Sequence, residues 1–203
     1  MKLPCTTLPI LIVDGEAIQG SANIIDWAEN QSDDPEKSLI PSTDLDKCLE
    51  VEKHLDEVAG VHARRFYYSE ALMDSPAEVR QIFARDLTFF NKMALRGSWS
   101  MVRKLMIQEM DLGKEQREDS KKIIERELEW LDDMLSDGRE FLIGGKFSRA
   151  DLTAASLLAV IAKPKKHPVY NDIPLPPKMK ADMETWQERP AIKWVNRIYS
   201  QYR

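Results

Sequence analysis

The sequence predicts a mainly α protein. A β-hairpin plus one helix occupies residues 1–29, a linker residues 30–43, and an all-α helical bundle residues 44–203. Three observations predict this. An aliphatic run over residues 9–13 meets the pair Asp14-Gly15, a strong two-residue turn signal. A polar stretch holding Pro35 and Pro41 follows. Everything after it reads as helix, with apolar residues at three- and four-residue spacings.

Taken in order, residues 9–13 and 17–19 are the two expected strands. Ser21 then opens a helix as a good N-cap, and Ile24, Ile25 and Ala28 supply its apolar stripe. Two strands and one helix lack the area to offset their ordering entropy. Either the hairpin packs on the helical part, or earlier strands belong beside it. The second is favoured, because so apolar a strand normally lies between two partners. Residues 44–72 read as one long helix. Pro76 leads a second run to about residue 110, with a bend expected near Gly97. Gly113 breaks the chain. The next helix, residues 114–135, places Ile124, Leu128, Leu131 and Leu135 on one face. Ser148 and Asp151 form a capping box, with Phe147 and Leu152 as its hydrophobic staple. The almost wholly apolar, small-residue stretch 153–162 suits a helix at the centre of a bundle.

The bulk properties exclude several classes. The chain has 203 residues, 43% hydrophobic and 31% charged, as an ordinary globular protein has. At this size folding buries roughly 70% of the extended-chain surface. The net charge is −5 and no basic stripe stands out, which argues against nucleic acid. Lys163, Lys165 and Lys166 are interrupted by Pro164 and read as a solvated turn. No apolar run reaches the ~18–20 residues of a membrane span. Two distant cysteines, Cys5 and Cys48, make neither a disulfide framework nor a zinc site. With no signal-peptide pattern, the expected location is cytoplasmic. The three histidines are widely spaced, so no metal site is expected; His54 and His167 read as surface residues.

The stretch Thr7-Leu8-Pro9-Ile10-Leu11, then Asp14-Gly15, then Gly20-Ser21-Ala22-Asn23-Ile24-Ile25, resembles the second half of a glutathione S-transferase thioredoxin-like domain. So do Phe141-Leu142-Ile143-Gly144-Gly145, the Ser148–Asp151 box and Arg189-Pro190-Ala191 in the helical part. Each motif alone is weak; their order and spacing are fairly specific. The resemblance implies a partial thioredoxin-like domain, residues 1–29, followed by the all-α C-terminal domain of that family.

In that family the proline before the third strand is cis. The residue before it offers its backbone to the cysteinyl part of glutathione by strand addition. Pro9 and Leu8 take those places. Ser21 matches the serine that holds the γ-glutamyl carboxylate, where a helix N-terminus supplies N–H groups and a positive dipole end. Many members have Glu or Gln directly before that serine; here Gly20 stands there, with Gln19 one step earlier. The implied glutathione-binding set is Leu8, Pro9, Gln19, Gly20 and Ser21. The electrophile pocket falls on the first long helix, where Arg65 and Tyr68 share a face at i, i+3.

The implied activity is conjugation of glutathione to electrophilic small molecules, a detoxification chemistry, with glutathione as co-substrate, no metal, and a homodimer as the family's habit. The family begins with a strand–helix–strand unit that carries the thiol-activating Ser, Tyr or Cys. Only eight residues precede Pro9, so that residue is not expected in this chain and the catalytic residue is unassigned. Cys5, four residues before Pro9, reads as structural. Two alternatives remain: a non-catalytic module for ligand binding or protein association, and a thiol-transfer enzyme, which would need Cys5 as nucleophile.

Overall fold

The computed structural model describes residues 8–41, 43–169, 173 and 175–203. Strands β1 (Ile10–Val13) and β2 (Glu16–Gln19) pair antiparallel in the register Ile10↔Gln19 to Val13↔Glu16. Asp14 at φ 49° and Gly15 at φ 85° both take the left-handed conformation that a two-residue hairpin turn demands. Among the described residues the sheet has these two strands.

Helix α1 (Ser21–Glu29) follows directly, but its cap is not the expected one. Gly20 is the cap residue, at φ 88°, and Ser21 is the first helical residue. The chain must swing from strand to helix within one residue. That needs a positive φ, which glycine adopts without a Cβ penalty, so the cap falls one position early.

Residues 45–74 form the expected continuous rod. It comprises α2 (Leu45–His54), a π-helical turn (Leu55–Ala59) and α3 (Gly60–Asp74). The turn packs on α7 (Arg149–Ala162). A Cβ at Gly60 would lie 2.9 Å from Leu157 Cδ2, so glycine permits the close approach of α7.

The expected single run to residue 110 is instead two helices, α4 (Pro76–Ala84) and α5 (Phe89–Glu109). The break falls at residues 85–88, and α5 continues through Gly97 without interruption. Thr88 accounts for the break: its extended backbone and its hydroxyl, which accepts from the Asn91 N–H, cap a new helix. Pro76 does start α4.

Helix α6 (Lys114–Leu135) buries Ile124, Leu128 and Leu131 to 1% exposure or less, as its spacing predicts. Each such side chain contributes roughly 1.5–3 kcal/mol of transfer free energy. The central α7 buries Ala150, Ala154, Leu158, Ala159 and Ile161. Its capping box is formed: the Ser148 N–H and hydroxyl both donate to Asp151 Oδ2, at 2.8 and 2.6 Å, and the Leu142 N–H donates to Oδ1 at 2.7 Å. Helices α8 (Pro177–Trp186) and α9 (Pro190–Tyr202) close the bundle. Pro190 opens α9, whose start is pinned to α6 because Asp132 accepts from Arg189 Nε and from the Ala191 N–H.

Two buried arginines stitch distant segments together. Arg117 on α6 meets Glu70 of α3 and Asp182 of α8, and its guanidinium lies 4.7 Å over the Phe66 ring. Glu70 also accepts from the Lys178 and Met179 N–H groups at the start of α8. Arg149, in the first turn of α7, meets Glu52 of α2 and Asp26 of α1, and so joins the hairpin unit to the bundle. The linker lies against the loop before α7, where the Arg149 N–H donates to Leu39 O and Lys146 Nζ to Pro35 O.

Candidate functional site

The hairpin register brings the sequence-predicted glutathione residues to one end. Ile10 pairs with Gln19, and the Gly20 N–H donates to Pro9 O at 2.9 Å. Continuing that register sets Leu8 beside the first turn of α1. The Leu8–Pro9 peptide is cis. Leu8 is exposed, whereas Gln19, Gly20 and Ser21 are half-buried. Asn23 Nδ2 donates to Gln19 O at 2.7 Å and holds the strand–helix corner. The Gly20 cap has no side chain, so the first N–H groups of α1 stay uncapped. An exposed backbone edge and an open helix N-terminus therefore sit together, an arrangement suited to an extended peptide bearing a carboxylate.

The two electrophile-pocket candidates part company. Tyr68 lines a cavity of about 190 Å³ between α3, α4 and α7, with Arg64, Tyr67, Ile82 and Leu157 among its other walls. Arg65 is outside that lining. Its guanidinium bonds the Asp111 carboxylate, and its Nε donates to Asp111 O, where α5 gives way to α6. Arg64 is the guanidinium beside Tyr68. Residues i and i+1 point about 100° apart on a helix, which is why adjacent arginines reach different neighbours. Burial, and then the neighbouring Tyr68, push the Tyr67 phenol well above its ordinary range, so it stays a neutral donor. Helix α7 links the two regions: Arg149 touches α1, while Leu157 and Val160 line the cavity some 12–17 Å further along the axis.

The bundle carries the decisive comparison. A family model described as the glutathione S-transferase C-terminal domain matches residues 99–195, just under half of the chain. Over residues 99–195 this bundle is similar to a glutathione S-transferase C-terminal domain. No curated protein and no solved structure matches the chain.

Cys48, on α2, is a buried free thiol, raised above its ordinary pKa by burial, so it is a poor nucleophile. Cys5 and its thiol-transfer reading lie outside the described residues. Among the described residues no cluster of His, Cys, Asp and Glu could hold a metal, and no helix is long and apolar enough to cross a membrane. His54 is not simply solvated. Its Nε2 lies 2.8 Å from Glu127 Oε2, and its ring is edge-on to Trp130, in a groove of about 860 Å³ between α2 and α6. His167 is half-buried against Tyr199. Sequence reasoning missed Arg149 and Arg117, whose partners lie up to 123 residues away.

Proposed function

We propose that this chain is a glutathione transferase that conjugates glutathione to small electrophiles. Leu8 and Pro9 present the backbone edge that pairs with the cysteinyl residue. Ser21, Gly20 and the open N-terminus of α1 receive the γ-glutamyl carboxylate, with Gln19 beside them. Tyr68 offers a phenol to the electrophile, and Arg64 offers a charge to any carboxylate it bears. The observation that carries this reading is the meeting of Leu8–Pro9 with the uncapped start of α1, on a chain that carries this C-terminal domain. None of these residues is assigned the task of activating the thiol. Homodimerisation and a cytoplasmic location belong to the same proposal.

The test is calorimetric titration of glutathione into the protein and into Ser21→Ala. Loss of a hydrogen bond to a charged group weakens binding by roughly tenfold or more. Glutathione binding that Ser21→Ala leaves untouched would sink the site assignment. A conjugation assay with an aryl halide separates catalysis from simple binding: binding without turnover marks a ligand-binding module instead.

A further inference from the structure

Ser75-Pro76-Ala77-Glu78 has the spacing of a helix capping box, in which the serine hydroxyl takes the glutamate N–H and the glutamate carboxylate reaches back to the serine N–H. Here neither half forms. Ser75 closes α3 and opens α4 at once. Its own N–H donates to Ala71 O at 2.9 Å, so Glu78 has nothing to reach back for. Its carbonyl accepts from the Glu78 and Val79 N–H groups, so the hydroxyl is not used as a cap. Both side chains are left without a hydrogen-bonding or ionic partner among the described residues.

Both line a cavity of about 300 Å³ between the end of α3, the start of α4 and the segment before α8, with Val79, Leu175 and Pro176 as apolar walls. Tyr67 lines it too. Tyr67 is 5% exposed, and its hydroxyl has no hydrogen-bond partner among the described residues. Burial, then the neighbouring Tyr68 and Glu78, hold its phenol well above the ordinary range, so it is an uncharged hydroxyl within reach of the Glu78 charge. Among the described residues that line the cavity, Glu78 is the one charged side chain. A polar group buried this deeply is normally hydrogen-bonded, because leaving it unpaired is costly. Three oxygen-bearing side chains around one cavity, none of them partnered, mark a place that a ligand completes.

We propose that this cavity binds a small primary amine in its ammonium form, with the amine's apolar body against Val79, Leu175 and Pro176. A primary ammonium carries three N–H donors and no acceptor. The cavity offers the matching set: the Glu78 carboxylate and the Ser75 and Tyr67 hydroxyls, all able to accept, with one negative charge among them. A carboxylate ligand would meet Glu78 as a like charge, and a neutral carbonyl compound would bring a second acceptor to it. A cavity of ~150 Å³ is enough for one benzene ring, so the space here takes a one-ring amine. Tyr67 also lines the cavity proposed for the electrophile, but the amine site draws on no residue proposed for glutathione.

The experiment titrates benzylamine, benzyl alcohol and benzoate into the full chain at neutral pH, without glutathione, and reads binding by ligand-observed NMR. Benzylamine is the ammonium probe, and benzyl alcohol is its uncharged counterpart of the same shape. Benzylamine should bind roughly tenfold or more tightly than either of the others, and Glu78→Gln should remove roughly that factor, as loss of a hydrogen bond to a charged group does. Tyr67→Phe should weaken benzylamine by roughly two- to tenfold. Circular dichroism should stay unchanged in that variant, because the hydroxyl it removes holds no described partner. Asp74→Asn removes an exposed acid beside Ser75 that does not line the cavity, and it should leave binding as it is. Benzyl alcohol binding as well as benzylamine, or no binding of benzylamine, overturns the proposal. So does an Asp74→Asn loss as large as that of Glu78→Gln, which would mark general attraction to an acidic chain.

Discussion

Arg149→Met is expected to destabilise the protein by about 3–5 kcal/mol, because it strands a carboxylate in the interior. The Arg149 side chain is 5% exposed and that of Glu52 7%, so removing the guanidinium leaves Glu52 in the interior without its cation. Asp26, the second partner, is 57% exposed. Its share is that of a surface pair, about 0–1 kcal/mol. For a chain of this length the Arg149→Met loss corresponds to a fall in Tm of roughly 6–20 °C. Urea and thermal unfolding measure it. The double variant Arg149→Met/Glu52→Met, which removes both charges, should recover most of the loss. Asp26→Asn should barely move global stability yet speed amide exchange in α1, whose tie to α7 it weakens. The reasoning is refuted if Arg149→Met costs less than about 1 kcal/mol, or if the double variant is no better than the single one.

Three further outcomes follow from the same packing. Glu70→Gln weakens the buried pair with Arg117 and the acceptor for the first N–H groups of α8, so it should cost about 2–4 kcal/mol in urea unfolding; a loss no larger than that of an exposed Glu→Gln control argues against the network. Leu131→Ala opens a cavity at a fully buried site and should cost about 2–5 kcal/mol; near-neutral unfolding would show that α6 is not packed as described. Burial, followed by the charges of Arg65 and Arg126, lowers the His62 pKa, and burial likewise lowers that of His167. The unfolded chain, with histidine near 6.5, therefore binds more protons than the folded one. Their contribution to stability is whole above about pH 6.5 and is lost as the pH falls through the window below it. His62→Asn should flatten the urea midpoint against pH between about pH 7.5 and 5, and an unchanged slope would contradict the assignment.

Much of the fold is written in local sequence. Asp14-Gly15 sets the hairpin and its register. The Ser148–Asp151 box starts α7, and the spacing of Ile124, Leu128 and Leu131 identifies the buried face of α6. These features act over a few residues, so a short window contains their whole cause. What escaped is set by contacts between distant segments or by competition at one residue. The break before α5 depended on Thr88 capping a new helix where an uninterrupted run was expected. Gly20 displaced Ser21 as cap because of the angle between strand and helix. The candidate site was legible in the same uneven way. The residues proposed for glutathione lie at the end of a hairpin whose register the turn dictates, so their convergence could be foreseen. Whether Arg64 or Arg65 stands beside Tyr68 depended on Asp111, which reaches Arg65 from another helix junction.

The five-residue π turn at Leu55–Ala59 gives the long rod a second property. One residue added to a helix rotates everything beyond it by about 100°. The turn is therefore a phase shifter. Upstream of it the rod presents Glu52 to Arg149; downstream it presents Ala63, Phe66 and Tyr67 to the core. Without the extra residue the two halves could not both face their neighbours. Shortening this turn by one residue would leave a sound helix but throw Glu52 about 100° out of mesh with Arg149, uncoupling the hairpin unit from the bundle without changing either partner of the ion pair.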